Sequence, residues 1–122
     1  MLPTRKPMTA IVQVEFRPSI LSIREDILQS LGHPVVSVLG LQAARSLDLS
    51  GRLVGVIVIG HGASWQERRD LIAHFRNTLS GVPILALLRR EEETFSGADL
   101  SCPADDPPQW IRIVRQALAG IQ

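Results

Sequence analysis

The residue best placed for chemistry is His61, in the string Ile59-Gly60-His61-Gly62-Ala63-Ser64. It follows the most hydrophobic run of the chain and precedes a helix-forming stretch. An imidazole on such a turn could move a proton near neutral pH or ligate a metal. The turn itself, Gly60-His61-Gly62, could receive an anion at the N-terminus of the following helix. The bland alternative is a solvated turn residue, because His33 and His74 fall in a turn and on a helix and offer no partner ligands. The string matches neither GxGxxG nor a P-loop, so no nucleotide motif stands behind it. Glu15 closes another apolar run, TAIVQVE, and is a weak candidate metal ligand. A hydrated carboxylate, or one paired with a nearby arginine such as Arg17, is the simpler reading. Cys102 could serve as a redox sensor, but no cation adjoins it in sequence to favour a thiolate, so it reads as a small buried hydrophobe. Arg68-Arg69 and Arg89-Arg90 could form a basic patch; the neighbouring Glu67, Asp70 and Glu91 to Glu93 favour a mixed, solvated surface.

The elements that must position these residues alternate along the chain. Thr9 to Glu15 is a β-branched apolar run, and Pro18-Ser19 can open a helix after it. Ile20, Ile23, Ile27, Leu28 and Leu31 then recur at helical spacing, with Arg24, Glu25, Asp26 and Gln29 read as facing away. Gly32-His33-Pro34 is a turn, Val35 to Val38 a second strand, and Gly40 to Leu47 a short helix. Leu53 to Gly60, rich in Val and Ile, predicts a central strand buried on both faces. A helix from about Ser64 to Leu79 follows, then the strand ILALL after Pro83, then a weak strand at Ala98 to Ser101. The Pro- and Asp-rich stretch 103–108 reads as a loop. A last helix, Gln109 to Ile121, places Trp110, Ile113, Val114, Ala117, Leu118 and Ile121 on one face.

Strand and helix in alternation predict an α/β fold, a parallel sheet with helices on both faces. Five strands fit the flavodoxin-like order 2-1-3-4-5, with ligands beyond the carboxyl ends of the strands near the first and third. The length of 122 residues predicts one domain, 1–122 with a core of about 9–119, and no separate output domain. Net charge is +1 and aromatic residues are 4%, which argues against a nucleic-acid partner. No apolar run approaches the roughly 18 residues of a membrane span. One cysteine excludes an internal disulfide or a CxxC site. No signal-peptide pattern opens the chain, and the expectation is a reduced, cytoplasmic protein.

Six strings in order carry a family resemblance. They are AIVQVEFRPSIL (10–21), LGHPVVSV (31–38), VGVIVIG (54–60), VPILALL (82–88), GAD (97–99) with Cys102-Pro103, and DPPQWIRIVRQAL (106–118). Together they resemble a response-regulator receiver domain over about Thr9 to Ala119. The resemblance implies a five-stranded receiver fold and a phosphorylation pocket at the strand ends. It implies an acidic pair after the first strand to hold Mg²⁺, an Asp on the third strand as phosphoacceptor, a Ser or Thr after the fourth and a Lys before Pro on the fifth. In this sequence those positions hold Glu15 and Phe16, Gly60, Leu88 and Cys102. One acid is kept and the other four residues are replaced. Glycine offers no nucleophile, and a lone carboxylate is a poor Mg²⁺ site. Pro83 and Gly97 are 14 positions apart, about six fewer than the family's loop–helix–loop connection needs, so the fourth helix should be shortened or absent.

The expected function is that of a degenerate receiver, or pseudo-receiver. It would be a non-enzymatic, phosphorylation-independent interaction module in signal transduction, without a cofactor, whose partner is a signalling protein or a second copy. Trp65 and Trp110, if exposed, would anchor that interface. The alternative is a small flavodoxin-like ligand binder or enzyme using His61, with Glu15 nearby. The string around His61 is also similar to the VGHGS that opens tetrapyrrole metal-chelatase domains, although there it follows the first strand.

Overall fold

The computed structural model describes residues 9–120. Its elements in chain order are β1 (Ala10–Glu15), α1 (Pro18–Gln29), β2 (Val35–Leu39), α2 (Leu41–Arg45), β3 (Val54–Ile59), α3 (Trp65–Thr78), β4 (Ile84–Leu88), β5 (Leu100–Pro103) and α4 (Pro107–Ala119). The five strands form one parallel sheet in the order β2-β1-β3-β4-β5. Order and composition are those expected from the alternation of the sequence.

Side chains alternate across the sheet and build two apolar layers. Val12 and Val14 of β1, Ile57 and Ile59 of β3, and Ile84, Ala86 and Leu88 of β4 pack against Leu71, Ile72 and Phe75 of α3 and Ala44 of α2. Ile11, Val56, Val58, Leu85, Leu87 and Cys102 pack on the other face with Leu28 of α1 and Trp110 and Val114 of α4. Parallel strands buried on both faces need hydrophobic side chains throughout, which explains why LVGVIVIG lacks a polar alternate. Mid-strand in β1, the polar Gln13 is fully buried and donates to the Leu21 carbonyl at 3.0 Å and to Ser37 Oγ at 2.8 Å.

Several boundaries move for local reasons. The last helix starts inside the stretch read as a loop. Asp106 caps it, accepting from the Gln109 amide, and Pro107 occupies the first turn, where a missing N–H costs nothing. Ile121, expected on that helix, lies outside the described residues. The fifth strand begins at Leu100 rather than Ala98, because Asp99 turns its carboxylate onto the Ile84 amide at 2.7 Å. Ser64 caps α3 in a capping box with Glu67.

Among the described residues no helix joins β4 to β5. The connection 89–99 is held by side chains instead. Phe95 is buried in the α3 layer, and Arg76 of α3 reaches the Gly97 carbonyl and the Asp99 carboxylate, each at 2.9 Å.

Two helical faces differ from the reading by residue type. On α1, Arg24 is buried and Ile23 is 61% exposed, the reverse of what residue type suggests. On α3, Arg68 is buried while its neighbour Arg69 is exposed. Both inversions lead to the strand ends.

Candidate functional site

The carboxyl ends of β1, β3, β4 and β5 bring together Glu15, Phe16, Gly60, His61, Leu88 and the segment after Cys102. Glu15 is completely buried and forms an ion pair with Nη1 of Arg24, also buried. Its second oxygen, Oε1, accepts from the Phe16 amide at 2.9 Å. The expected partner, Arg17, is exposed instead. Burial pulls Arg24 below the ordinary guanidinium value, and the facing Glu15 carboxylate opposes that shift. A Cβ built on Gly60 would fall inside the Glu15 carboxylate, closer than real carbon atoms approach. Gly60 donates its amide to the Val14 carbonyl at 2.8 Å as an ordinary sheet residue. Glycine is required there for room, not for an unusual backbone angle. At Gly62 an added Cβ would lie 3.3 Å from both Glu15 Oε1 and Phe16 Cβ, so the turn closes tightly over the pair.

The remaining pocket positions are apolar or turned away. Phe16 packs half-buried against the α3-side core, and Leu88 is buried in the same layer. Cys102 lies in the opposite layer with Trp110 and Val114, so it lines the core rather than the strand ends. Burial pushes the Cys102 thiol up, Asp106 adds to the effect, and Arg112 opposes it. The described residues contain no cis peptide bond, so Cys102-Pro103 is trans.

His61 borders a cleft of about 200 Å³ with Leu88, Arg89, Arg90, Ala104 and Asp105. Burial holds the His61 imidazole below the ordinary histidine value; the Arg24 charge reinforces the shift, Glu15 opposes it, and Arg89 and Arg17 add smaller contributions on the side of Arg24. His33 sits before β2, at the opposite end of the sheet, with Nδ1 2.9 Å from the Thr9 carbonyl oxygen. His74 packs edge-on to Phe75 on α3. Neither joins His61, and among the described residues no three His, Cys, Asp or Glu side chains converge as a metal site.

One member of each arginine pair read as solvated surface, Arg68 and Arg89, joins a partly buried network. Arg68 donates from both terminal nitrogens to Glu92, at 3.0 and 2.7 Å, and lies over the Phe95 ring at 4.5 Å. Its Nε is buried without a partner among the described residues. Arg89 donates Nε to the His61 carbonyl at 2.9 Å and Nη2 to the Ala63 carbonyl at 2.5 Å, while its amide donates to Glu92 Oε1 at 2.9 Å. The RREEE segment therefore clamps the turn that carries His61 to the start of α3. Only the outer members, Arg90, Glu91 and Glu93, are exposed as expected.

This network predicts an acid-sensitive contribution to stability. The hydrogen bond from Arg68 holds the Glu92 carboxyl below its ordinary value, assisted by the Arg89 amide and by both arginine charges and opposed by partial burial. A carboxyl with a lowered folded value contributes fully at neutral pH and loses that contribution as pH falls through the carboxylate range. Glu92→Gln is expected to cost about 1–3 kcal/mol at pH 7. The gap to the wild type should narrow as pH falls below about 4.3, the ordinary glutamate value. Urea denaturation across pH 3 to 7 checks this; a gap that stays constant over that range excludes an ionised role for Glu92.

The two tryptophans separate. Trp110 is 1% exposed, inside the α4-side layer, which removes it as an interface anchor. Its indole nitrogen is buried without a partner among the described residues. Trp65, at the first turn of α3, is 47% exposed, with the Phe95 ring centroid 6.2 Å away and the Arg69 guanidinium 4.7 Å above its face.

No profile of a known family matches the chain, and no curated protein matches it in sequence. Solved structures do match. The receiver domain of a histidine kinase from Syntrophus aciditrophicus superposes with a TM-score of 0.78 at 17% identity, covering 93% of this chain and 92% of that one. The receiver domain of the Francisella response regulator 1452 gives 0.77 at 14%, covering 93% and 99%. A structure described as an adenylate cyclase from Rhodopirellula baltica gives 0.79 at 13%, covering 92% and 88%. A five-stranded parallel sheet in the order 2-1-3-4-5 that superposes over nine-tenths of such domains is a flavodoxin-like receiver fold.

Proposed function

We propose that the chain is a phosphorylation-independent pseudo-receiver, a non-enzymatic module that acts in signal transduction by binding a protein partner or a second copy of itself. The observation that carries this reading is the Glu15–Arg24 ion pair packed against Gly60. The volume that a phosphoacceptor side chain would need is filled by a buried carboxylate already paired with a guanidinium. A carboxylate committed in this way has little left to offer Mg²⁺, which demands several oxygen ligands in near-octahedral array. Leu88 and Phe16 bring hydrocarbon where a phosphoryl group would need donors. The scaffold is kept without the covalent chemistry, which leaves binding as its means of action. Trp65, half-exposed on the surface beside the helix-free 89–99 connection, supports that side as the docking face.

The test combines intact mass spectrometry after treatment with acetyl phosphate and Mg²⁺ with amide NMR under Mg²⁺, then Mg²⁺ plus beryllofluoride. The expected result is no phosphoryl mass increment and no Mg²⁺-dependent shifts at Glu15, Gly60 or Cys102. A stable phosphoryl adduct that requires Mg²⁺ would overturn the proposal.

A further inference from the structure

We infer that the cleft between His61 and Asp105 is a non-covalent binding site for a single phosphate group, held by Arg89, Arg90 and His61. The inference rests on the reading above only in that the pocket at Gly60 is already filled and the anion binds beside it.

The cleft opens at the carboxyl ends of β3, β4 and β5, where open parallel sheets receive ligands. It is accessible because the connection after β4 is tied down by Glu92 and Phe95 rather than built into a helix. A volume of about 200 Å³ is below the usual range for drug-sized ligands but ample for one tetrahedral anion and a few attached atoms. Its lining is cationic on balance, with Arg89 and Arg90 against one acid, Asp105. Arg89 is fixed in place by its bonds to the carbonyls of His61 and Ala63, and its third nitrogen, Nη1, makes no hydrogen bond among the described residues. A guanidinium oriented by two carbonyls with a donor to spare needs no reordering to receive an oxyanion. Arg90 is almost fully exposed and reaches Asp105 only at 3.4 Å, so an incoming phosphate competes with a weak pair. His61 lines the cleft, and its ring makes no hydrogen bond among the described residues; a neutral imidazole carries one N–H donor. Phosphate, with four oxygens, matches three separated donors better than a planar carboxylate does.

The experiment is an amide NMR titration of the full chain at constant ionic strength, with inorganic phosphate and, in parallel, glycerol 3-phosphate. Saturable shifts confined to residues 61–63, 89–90 and 104–105, without Mg²⁺, are expected. Tighter binding of the ester would assign the group to a small molecule, and equal binding would assign it to free phosphate. Arg90→Ala removes an exposed side chain, so folding should be kept, and affinity should fall about fivefold, the scale of one partly exposed charge contact. Asp105→Asn should change affinity in the opposite direction. No saturation with either probe, or equal affinity in both variants, overturns the inference. The absence of covalent modification is unaffected by either result, because intact mass reports it separately.

Discussion

Arg24→Ala is expected to destabilise the fold by about 3–5 kcal/mol at neutral pH, a large share of the stability of a domain this size. Among the described residues the guanidinium is the only cation paired with Glu15, whose side chain is fully buried. Removing it leaves a buried carboxylate with the Phe16 amide as its remaining donor. The desolvation cost of that carboxylate then stands uncompensated. The net worth of the intact pair is a separate quantity and much smaller, because two ions had to leave water to make it. Replacing both residues with apolar ones of similar length, Glu15→Met with Arg24→Met, should recover most of the loss. Urea denaturation of the single and double variants measures both quantities. A loss under 1 kcal/mol for Arg24→Ala would mean that water reaches Glu15 and that the strand-end pocket is still open.

Much of this architecture was legible in the residues. The β-branched runs, the glycine and proline breaks and the 14-position gap from Pro83 to Gly97 led to the sheet order and the missing helix. The cationic side chains of the site were missed, although their spacing held the signal. Arg24 stands four residues after Ile20 and four before Leu28, and Arg68 stands four before Ile72 and seven before Phe75. Both lie on the inward stripe of their helices. Residue type argued for the outer face, and periodicity alone argued for the inner. Type gave the wrong answer because each arginine has an acid waiting at the end of its reach, Glu15 or Glu92. That complement comes from a different element, nine positions away for Arg24 and 24 for Arg68, and helix periodicity does not register it. Ile23 is displaced outward for the same reason, since the helix turns Arg24 toward β1. Trp110 shows the opposite case: periodicity placed it on the buried face of α4, and the structure keeps it there.

Gly60→Ala is expected to cost about 3 kcal/mol, because the room at this position is taken by the Glu15 carboxylate. An alanine Cβ would occupy the space of the Glu15 carboxylate, which cannot retreat because Arg24 and the Phe16 amide hold it from two sides. Overpacking of a rigid site costs about 1–3 kcal/mol, and here the contact also disturbs a buried ion pair. In a Glu15→Ala, Arg24→Met background the same substitution should cost less than about 1 kcal/mol, giving a coupling energy of roughly 2 kcal/mol. Without such coupling, Gly60 would be an ordinary turn-leading glycine, and its small size would not depend on Glu15. With it, the position is committed to a different structure from the one a phosphoacceptor needs. Gly60→Asp alone should then yield a less stable protein and no phosphorylated product, since the new carboxylate would meet Glu15 before it met any metal. On the proposed reading, phosphoryl chemistry at position 60 would require removing the Glu15–Arg24 pair first, because a side chain there and the paired carboxylate compete for one volume.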